Sequence, residues 1–360
     1  MTKILFTVTT DLNYDQRMQR ICSALSEDGY AVKLIGRRLT SSPPLTKTKF
    51  EQKRIKCFFQ KGKFFYLEFN IRLFFYLLFQ KTDVICGIDL DTILPSFIIS
   101  KLKRKTFVYD AHEYFTESAN LINRKFEQGM WKQIERFVVP KTKNAYTVNK
   151  SIADLFKKQY NVDFGVIRNV PEYQKSSSIK AERIVLYQGA LRGERGLREL
   201  VKAMKNIDCK LIMAGGGSLL DELKILANEL QVSDKIEFTG QQTPAELTEI
   251  TKKAYIGVSP LEPIGFNHLY SLSNKFLEYI QLEIPQVAMN FEEYKRINSE
   301  NEVAILMDNV KADDFTKAIN QLLSDSELYD KLKHATHKAK EVLNWEKEKN
   351  TLIQFYSNLI

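Results

Sequence analysis

An alternation constrains this chain more than any other feature: short apolar runs recur between segments of helical period. Residues 3–10 (KILFTVTT) read as a buried strand ending in polar residues, and residues 15–25 carry helical periodicity. Gly29 and Tyr30 stop that helix, and residues 31–35 (AVKLI) form a second strand. Strand, helix and strand in this order make a βαβ unit, which requires a parallel sheet. Residues 83–86, 106–109, 145–148 and 165–167 continue the series. A second series follows at 184–187, 210–214, 236–238, 254–258 and 286–289. The chain therefore predicts an α/β protein of two Rossmann-like halves, with ligands at the carboxyl ends of the strands. Residues 174–182 (QKSSSIKAE) have linker composition, which divides the chain into domains at 1–173 and 183–343. The last helix, 344–360, is rich in Trp, Phe, Tyr and Leu and is expected to pack back on the first domain.

Composition excludes several classes. With 360 residues, 44% hydrophobic and 27% charged, the chain can bury two cores. Its four Cys show no C-x-x-C pair and its four His no H-E-x-x-H, so neither a metal site nor a disulfide framework is expected, and a reducing compartment is. Met1-Thr-Lys leads straight into ILFTV, too short for a secretory core, so the expected localisation is cytoplasmic. The net charge of +9 is uneven: residues 1–175 carry +13 and residues 176–360 carry −4. A basic half implies an anionic surface or partner. No RNP-like strand, zinc knuckle or helix-turn-helix is present, which argues against nucleic acid and leaves an acidic membrane face. Residues 58–80 (FFQKGKFFYLEFNIRLFFYLLFQ) read as a crossover helix packed on the sheet, although an aromatic, basic helix also suits a membrane interface.

Residues 271–287 (SLSNKFLEYIQLEIPQV) carry the densest local chemistry. Ser271 or Ser273 is expected to cap a helix whose buried side is Phe276, Leu277, Ile280 and Ile284, and Pro285 is expected to end it. Asn274, Lys275 and Glu278 share the opposite side near the N-terminus. Free N–H groups and a lysine suit phosphates, and a carboxylate suits ribose hydroxyls. Asp110-Ala-His112-Glu113 follows the strand TFVY, where Asp110 would set the tautomer of His112. Asp89 and Asp91 are expected to cap the helix near Thr92. Gly189, Arg192, Arg195 and Gly196 follow one strand of the second half, and Gly215, Gly216 and Gly217 another; such turns let backbone approach a ligand.

The order YQGALRGERGL, LIMAGGGSLLDEL, IEFTG, VSPLE and SNKFLEYIQLEIPQVA resembles the donor half of the retaining family-4 glycosyltransferases with the GT-B fold, and DQRMQRICSALSEDGYAVKLIGR, FVYDAHE, TVNKSIADLFKKQY and VIRNVPEY agree in the first half. The resemblance implies two domains facing across a cleft. It implies that Arg195 and Lys275 grip a donor diphosphate, with Ser273 and Asn274 beside them, and that Glu278 binds the ribose. Gly216 and Gly217 would lie against the nucleotide, Gln241 near the base, and His112 near the transferred sugar. Asp15, Arg17 and Asp110 would stand on the acceptor side. Two departures stand out: Tyr270 occupies the place of the earlier Glu of the family's E-x7-E pair, with Glu262 upstream, and Thr9, Thr10 and Asp11 replace an N-terminal glycine loop.

The expected function is thus a metal-independent, cofactor-free transfer of sugar from a nucleotide-diphosphate-sugar co-substrate to a glycan or polyprenyl-linked acceptor, with retention, at the inner membrane face. The competing readings are a nucleotide-sugar epimerase of the same fold and a non-catalytic nucleotide-sugar-binding subunit.

Overall fold

The computed structural model describes all residues except 120, 177–180 and 360. In chain order the elements of the first half are β1 (Lys3–Thr7), α1 (Gln16–Glu27), β2 (Ala31–Arg38), β3 (Glu51–Lys56), α2 (Gly62–Leu78), β4 (Val84–Ile88), α3 (Asp89–Leu102), β5 (Thr106–Ala111), α4 (Lys125–Val138), β6 (Asn144–Thr147), α5 (Lys150–Tyr160) and β7 (Gly165–Val166). They build a parallel sheet of order β3-β2-β1-β4-β5-β6-β7. The central strands are apolar on both faces, as a sheet covered on both sides demands; Ile4, Phe6, Ile85, Cys86, Val108 and Tyr109 are fully buried.

The second half contains β8 (Ile184–Gln188), α6 (Leu197–Ala203), β9 (Lys210–Ala214), α7 (Leu220–Glu229), β10 (Ile236–Gly240), α8 (Pro244–Lys253), β11 (Ile256–Ser259), α9 (Gly265–Leu269), α10 (Asn274–Gln281), β12 (Gln286–Met289), α11 (Glu292–Glu300), β13 (Ala304–Met307), α12 (Ala312–Ser324) and α13 (Ser326–Lys340). Its parallel sheet runs β10-β9-β8-β11-β12-β13. In each sheet the strand order reverses beside the first strand of its series, between β1 and β4 and between β8 and β11. Crevices at such switch points hold ligands in open α/β sheets.

Chain contacts divide the molecule into two units. The first comprises Met1–Asn169, Gly265–Asn267 and Glu348–Ile360; the second comprises Val170–Ile264 and His268–Lys347. The expected linker at 174–182 lies partly at 177–180, outside the described residues. Its first part is tied into the second unit: the Gln174 N–H donates to Gln281 Oε1 at 3.1 Å, and Lys340 Nζ donates to Gln174 O at 3.3 Å and Ser176 Oγ at 2.9 Å.

The last helix, α14 (Trp345–Ser357), contributes to the first unit's core. Tyr356 is fully buried, its ring 5.9 Å from Phe6 and 6.3 Å from Tyr146. Glu348 pairs with Arg168 at 3.0 Å and accepts the Arg168 backbone N–H at 2.9 Å.

Helix α2 is a crossover helix, and Phe65, Phe69, Leu73 and Leu77 form its buried stripe. No helix among the described residues is long and apolar enough to cross a membrane.

Tyr356→Ala should destabilise the first unit by about 3–5 kcal/mol, the scale for truncating a buried aromatic. Urea unfolding monitored by circular dichroism measures it; an unchanged midpoint would show that α14 adds nothing to that core.

Candidate functional site

In the second unit the site grows from the carboxyl end of β8. Gln188, the last residue of that strand, is buried; its Nε2 donates to Glu278 Oε2 and its Oε1 accepts from Thr251 Oγ1 at 2.8 Å. Gly189 follows at φ +125°, and a Cβ there would stand 3.5 Å from Lys275 Cε and 3.7 Å from Nζ. The lysine thus packs at contact distance from position 189, and it is the positive φ that favours glycine there. Lys275 lies in the first turn of α10, with Nζ 4.6 Å from the centroid of the Tyr187 ring. Tyr187 is fixed in turn by donating its hydroxyl to Ala190 O at 2.8 Å.

Arg195 ends a short 3-10 turn, and Gly196 follows at φ +63°, where a Cβ would strike Val310 Cγ1 at 2.1 Å. Conformation and space both reserve position 196 for glycine, and so set how Arg195 leaves the chain. Burial first, and the Arg195 guanidinium second, push the Lys275 ammonium down to about 7, while Glu278 pulls the other way. Two cations therefore share this end of the sheet, and Glu278, already engaged by Gln188, offsets them only in part.

The glycine loops interlock through backbone. The Gly189 N–H donates to Ala214 O at 2.9 Å and the Leu191 N–H to Gly216 O at 3.0 Å. A Cβ at Gly215 would meet Gly189 O at 2.0 Å, and one at Gly217 would meet Leu191 O at 2.2 Å. Loop against loop thus accounts for Gly217 without any ligand. Gly216 is roomier, with Gln241 Cβ 3.9 Å from where its own would lie.

Two expectations for this region are corrected. Ser273 occupies the N-cap position of α10, but its hydroxyl takes no first-turn N–H; its own N–H donates to Tyr294 Oη at 3.1 Å. The Ser271 hydroxyl donates to His268 O at 3.0 Å, so neither serine caps the helix. The first turn keeps N–H groups that its cap residue leaves unclaimed. The helix also ends at Gln281, before Pro285, because Glu283 turns left-handed (φ +58°) and pairs with Lys340. Asn274 is exposed at the mouth, while Lys275 and Glu278 are half-buried. Tyr270 is half-buried, and Glu262 is held by backbone, its N–H donating to Glu194 O at 3.0 Å and its carbonyl facing His268 Nδ1 at 2.9 Å.

The first unit has its own cluster, at the carboxyl ends of β4 and β5. Asp110 is fully buried and meets Arg17 Nη2 at 3.3 Å and His112 Nε2 at 3.0 Å. Arg17 Nη2 also donates to Ile167 O at 3.1 Å. The backbone N–H of His112 donates to Asp89 Oδ1 at 2.8 Å, and Asp91 Oδ2 accepts from Thr9 Oγ1 at 2.5 Å.

From the sequence, Asp89 and Asp91 are expected to cap the helix near Thr92; in the structure neither holds the cap position. Asp89 takes φ +52° and turns its carboxylate to the β5 end, while Ile88 holds the cap position of α3. Asp15 does cap: it accepts the Met18 N–H at 3.1 Å and the Thr10 hydroxyl at 2.7 Å. Burial opposes a charge on His112, yet Asp110 and then Asp89 outweigh it and raise the imidazole to about 9. Burial drives Asp89 up to about 8 and Asp91 to about 7. Burial also works against the Asp110 charge, but His112 and Arg17 hold it below the usual carboxylate range. At neutral pH His112 is an imidazolium with Nε2 turned to Asp110.

Residues 169–339, a little under half of the chain, match the family model of the glycosyl transferases group 1. An uncharacterized glycosyltransferase of Methanocaldococcus jannaschii is 32% identical over 98 residues, covering 26% of this chain and 25% of its own. The alpha-monoglucosyldiacylglycerol synthase of Streptococcus pneumoniae is 28% identical over 114 residues, covering 29% and 26%. The chain thus spans about a quarter of the length of these relatives. In three dimensions the likeness is end to end: the Anabaena protein HepE, solved with UDP and glucose, superposes with a TM-score of 0.75 at 14% identity, over 99% of this chain and 100% of that one. The chain has the GT-B fold of two Rossmann-like parallel-sheet domains.

The depressed Lys275 fixes a pH signature. Its folded value of about 7 lies below the unfolded one, so the stability penalty of the charged form is complete below pH 7 and fades as pH rises toward the unfolded value. Lys275→Met should raise the melting temperature at pH 6 and do so much less at pH 10. A shift equal at both pH values would mean that the ammonium is not desolvated.

Proposed function

We propose that this chain transfers a glycosyl group from a nucleoside-diphosphate-sugar, held by the second unit, to an acceptor held by the first. The observation that carries this reading is the pairing of Arg195 and Lys275 around interlocked glycine loops and an N-terminus of α10 without a side-chain cap. That set of donors suits a diphosphate, and the segment bearing it is the one that matches the glycosyl transferases group 1.

The chemistry is leaving-group stabilisation. As the bond from the anomeric carbon to the diphosphate breaks, charge gathers on the departing phosphate oxygens. Preorganised cations and N–H groups lower that barrier. Lys275, half-neutral near pH 7 without ligand, takes up a proton as the diphosphate binds. Glu278, steered by Gln188, accepts from the ribose hydroxyls, and Gln241 lies toward the base. Retention of configuration and independence of metal are part of the proposal. So is the role of His112, which offers the sugar an Nδ1–H that Asp89, at 3.8 Å, does not take up. The acceptor class we assign is a glycan or a lipid-linked oligosaccharide, with the basic first half working at the inner membrane face.

A thermal-shift series with UDP, GDP and ADP tests the donor site. One of them should raise the melting temperature by mass action, and Arg195→Ala or Lys275→Ala should each weaken its binding about 10- to 100-fold, as for loss of a charge-assisted hydrogen bond. No response to any nucleoside diphosphate would end the proposal.

The wild-type affinity should also fall from pH 6.5 to 8.5 as Lys275 loses its proton, and Lys275→Ala should flatten that profile. Titration calorimetry in buffers of different ionisation enthalpy reads the proton uptake directly; zero uptake at pH 7.5 would remove Lys275 from the phosphate contact. Products formed from donor alone separate transfer from epimerisation, and the anomeric coupling of the product tests retention.

A further inference from the structure

A cavity of about 340 Å³ lies in the first unit among α2, α4 and the start of α3. That volume is within the range of small-molecule sites. Its wall is aromatic and aliphatic. Tyr66 and Phe115 each meet the Trp131 ring edge-on, at 5.4 and 5.3 Å, and Leu67, Leu94 and Met130 complete the lining. The inner end is polar and adjoins the cluster around His112. Glu113, the next residue, lines the cavity and accepts from Asn267 Nδ2 at 2.8 Å; Asn70, also lining it, donates to Asp91 O at 2.8 Å.

The outer end is apolar again, and cationic. A helix needs one apolar stripe to pack, and α2 has two. Opposite its buried stripe, Phe64, Leu67, Ile71 and Phe75 are each about half exposed, and α4 adds Phe126 at 70% exposure. Lys63 and Arg124 line the cavity and are exposed, with Lys61 two residues before the first and Lys125 directly after the second. Arg124 pairs with Glu127 at 2.6 Å, and Lys63 acts on the same carboxylate from further off, which leaves the rim in positive surplus.

We infer that this cavity takes the hydrocarbon chain of an amphipathic acceptor with an anionic head, the chain lying along the aromatic wall beside the exposed stripe of α2 and the head at Lys63 and Arg124. The word acceptor rests on the sugar-transfer reading; the binding of an anionic single-chain lipid does not. Each end of such a molecule meets its complement: rings and methyl groups for the chain, surplus cations for the phosphate. A sugar or a peptide would leave the aromatic wall uncovered, and a neutral oil would make no use of the rim.

The probe is dodecyl phosphate brominated at its terminal carbon, used below its micelle concentration on the full chain. Bromine quenches tryptophan on contact, and the chain has two tryptophans, Trp131 in this wall and Trp345. Saturable quenching is expected in the wild type and its loss in Trp131→Phe. Leu94→Phe, which fills the cavity, should weaken binding about tenfold or more, the scale set by a methylene or two in an apolar pocket. Brominated dodecanol should bind more weakly, and inorganic phosphate should not displace the probe.

No saturable quenching of the wild type would overturn the assignment. So would equal quenching in a Leu94→Phe protein whose circular-dichroism melt is unchanged. The nucleoside-diphosphate melting shift reads the second unit separately. A retained shift with no quenching sinks the cavity assignment alone, whereas quenching with no shift sinks the sugar-transfer reading alone.

Discussion

The second unit is arranged around one desolvated ammonium. Lys275 lies over the face of Tyr187 and against the bare backbone of Gly189, with a second cation close enough to lower its proton affinity further. Such an arrangement is unfavourable alone and becomes favourable when an anion enters. Position 189 is glycine because its backbone takes φ +125°, which other residues rarely adopt. Position 196 has no side chain because its backbone is left-handed and a Cβ would strike Val310. Gln188 turns Glu278 so that its charge moderates the pair without cancelling it.

The two sheets share one winding order, yet they load their carboxyl ends oppositely. The second unit gathers Arg195 and Lys275 beside β8. The first gathers Asp89, Asp91, Asp110 and Glu113 around His112; burial favours a proton on each, and only at Asp110 do His112 and Arg17 outweigh it. One architecture thus supports an anion trap in one half and a proton-rich, hydrogen-bonding floor in the other. Under the proposed reading these serve the donor phosphates and the sugar hydroxyls respectively. Fold alone does not assign either role; the side chains at the strand ends do.

Most of the strands legible in the sequence are buried on both faces, although the edge strands β7 and β10, largely uncovered, were legible too. β3 escaped because its residues read EQKRIK: it is an edge strand, only Ile55 is buried, and charges on edges are a common defence against mispairing. β13 escaped although it is no shorter than β6, β11 and β12, which were legible; two of its four residues are only half-buried. In the site, Arg195, Lys275, Glu278 and His112 stood out because residue type and local position together carried the signal. Gln188 and Thr251 did not, since their partners lie far off in the chain. Asp89 and Asp91 misled for a definite reason. An acid at a helix start usually caps it, and nothing local reveals that Asp89 will adopt a left-handed backbone and face another strand.

Tyr356, wedged between Phe6 and Tyr146, has a consequence for how the molecule is made. Strand β1 leaves the ribosome well before α14 and finds a ring of its lasting environment only when that helix follows. At about 5–20 residues per second the interval is tens of seconds. During it the core of the first unit is incomplete, while the second sheet can close on its own residues. Birth order and maturation order are therefore reversed, and a nascent chain stalled before α14 would present an open apolar seam to chaperones.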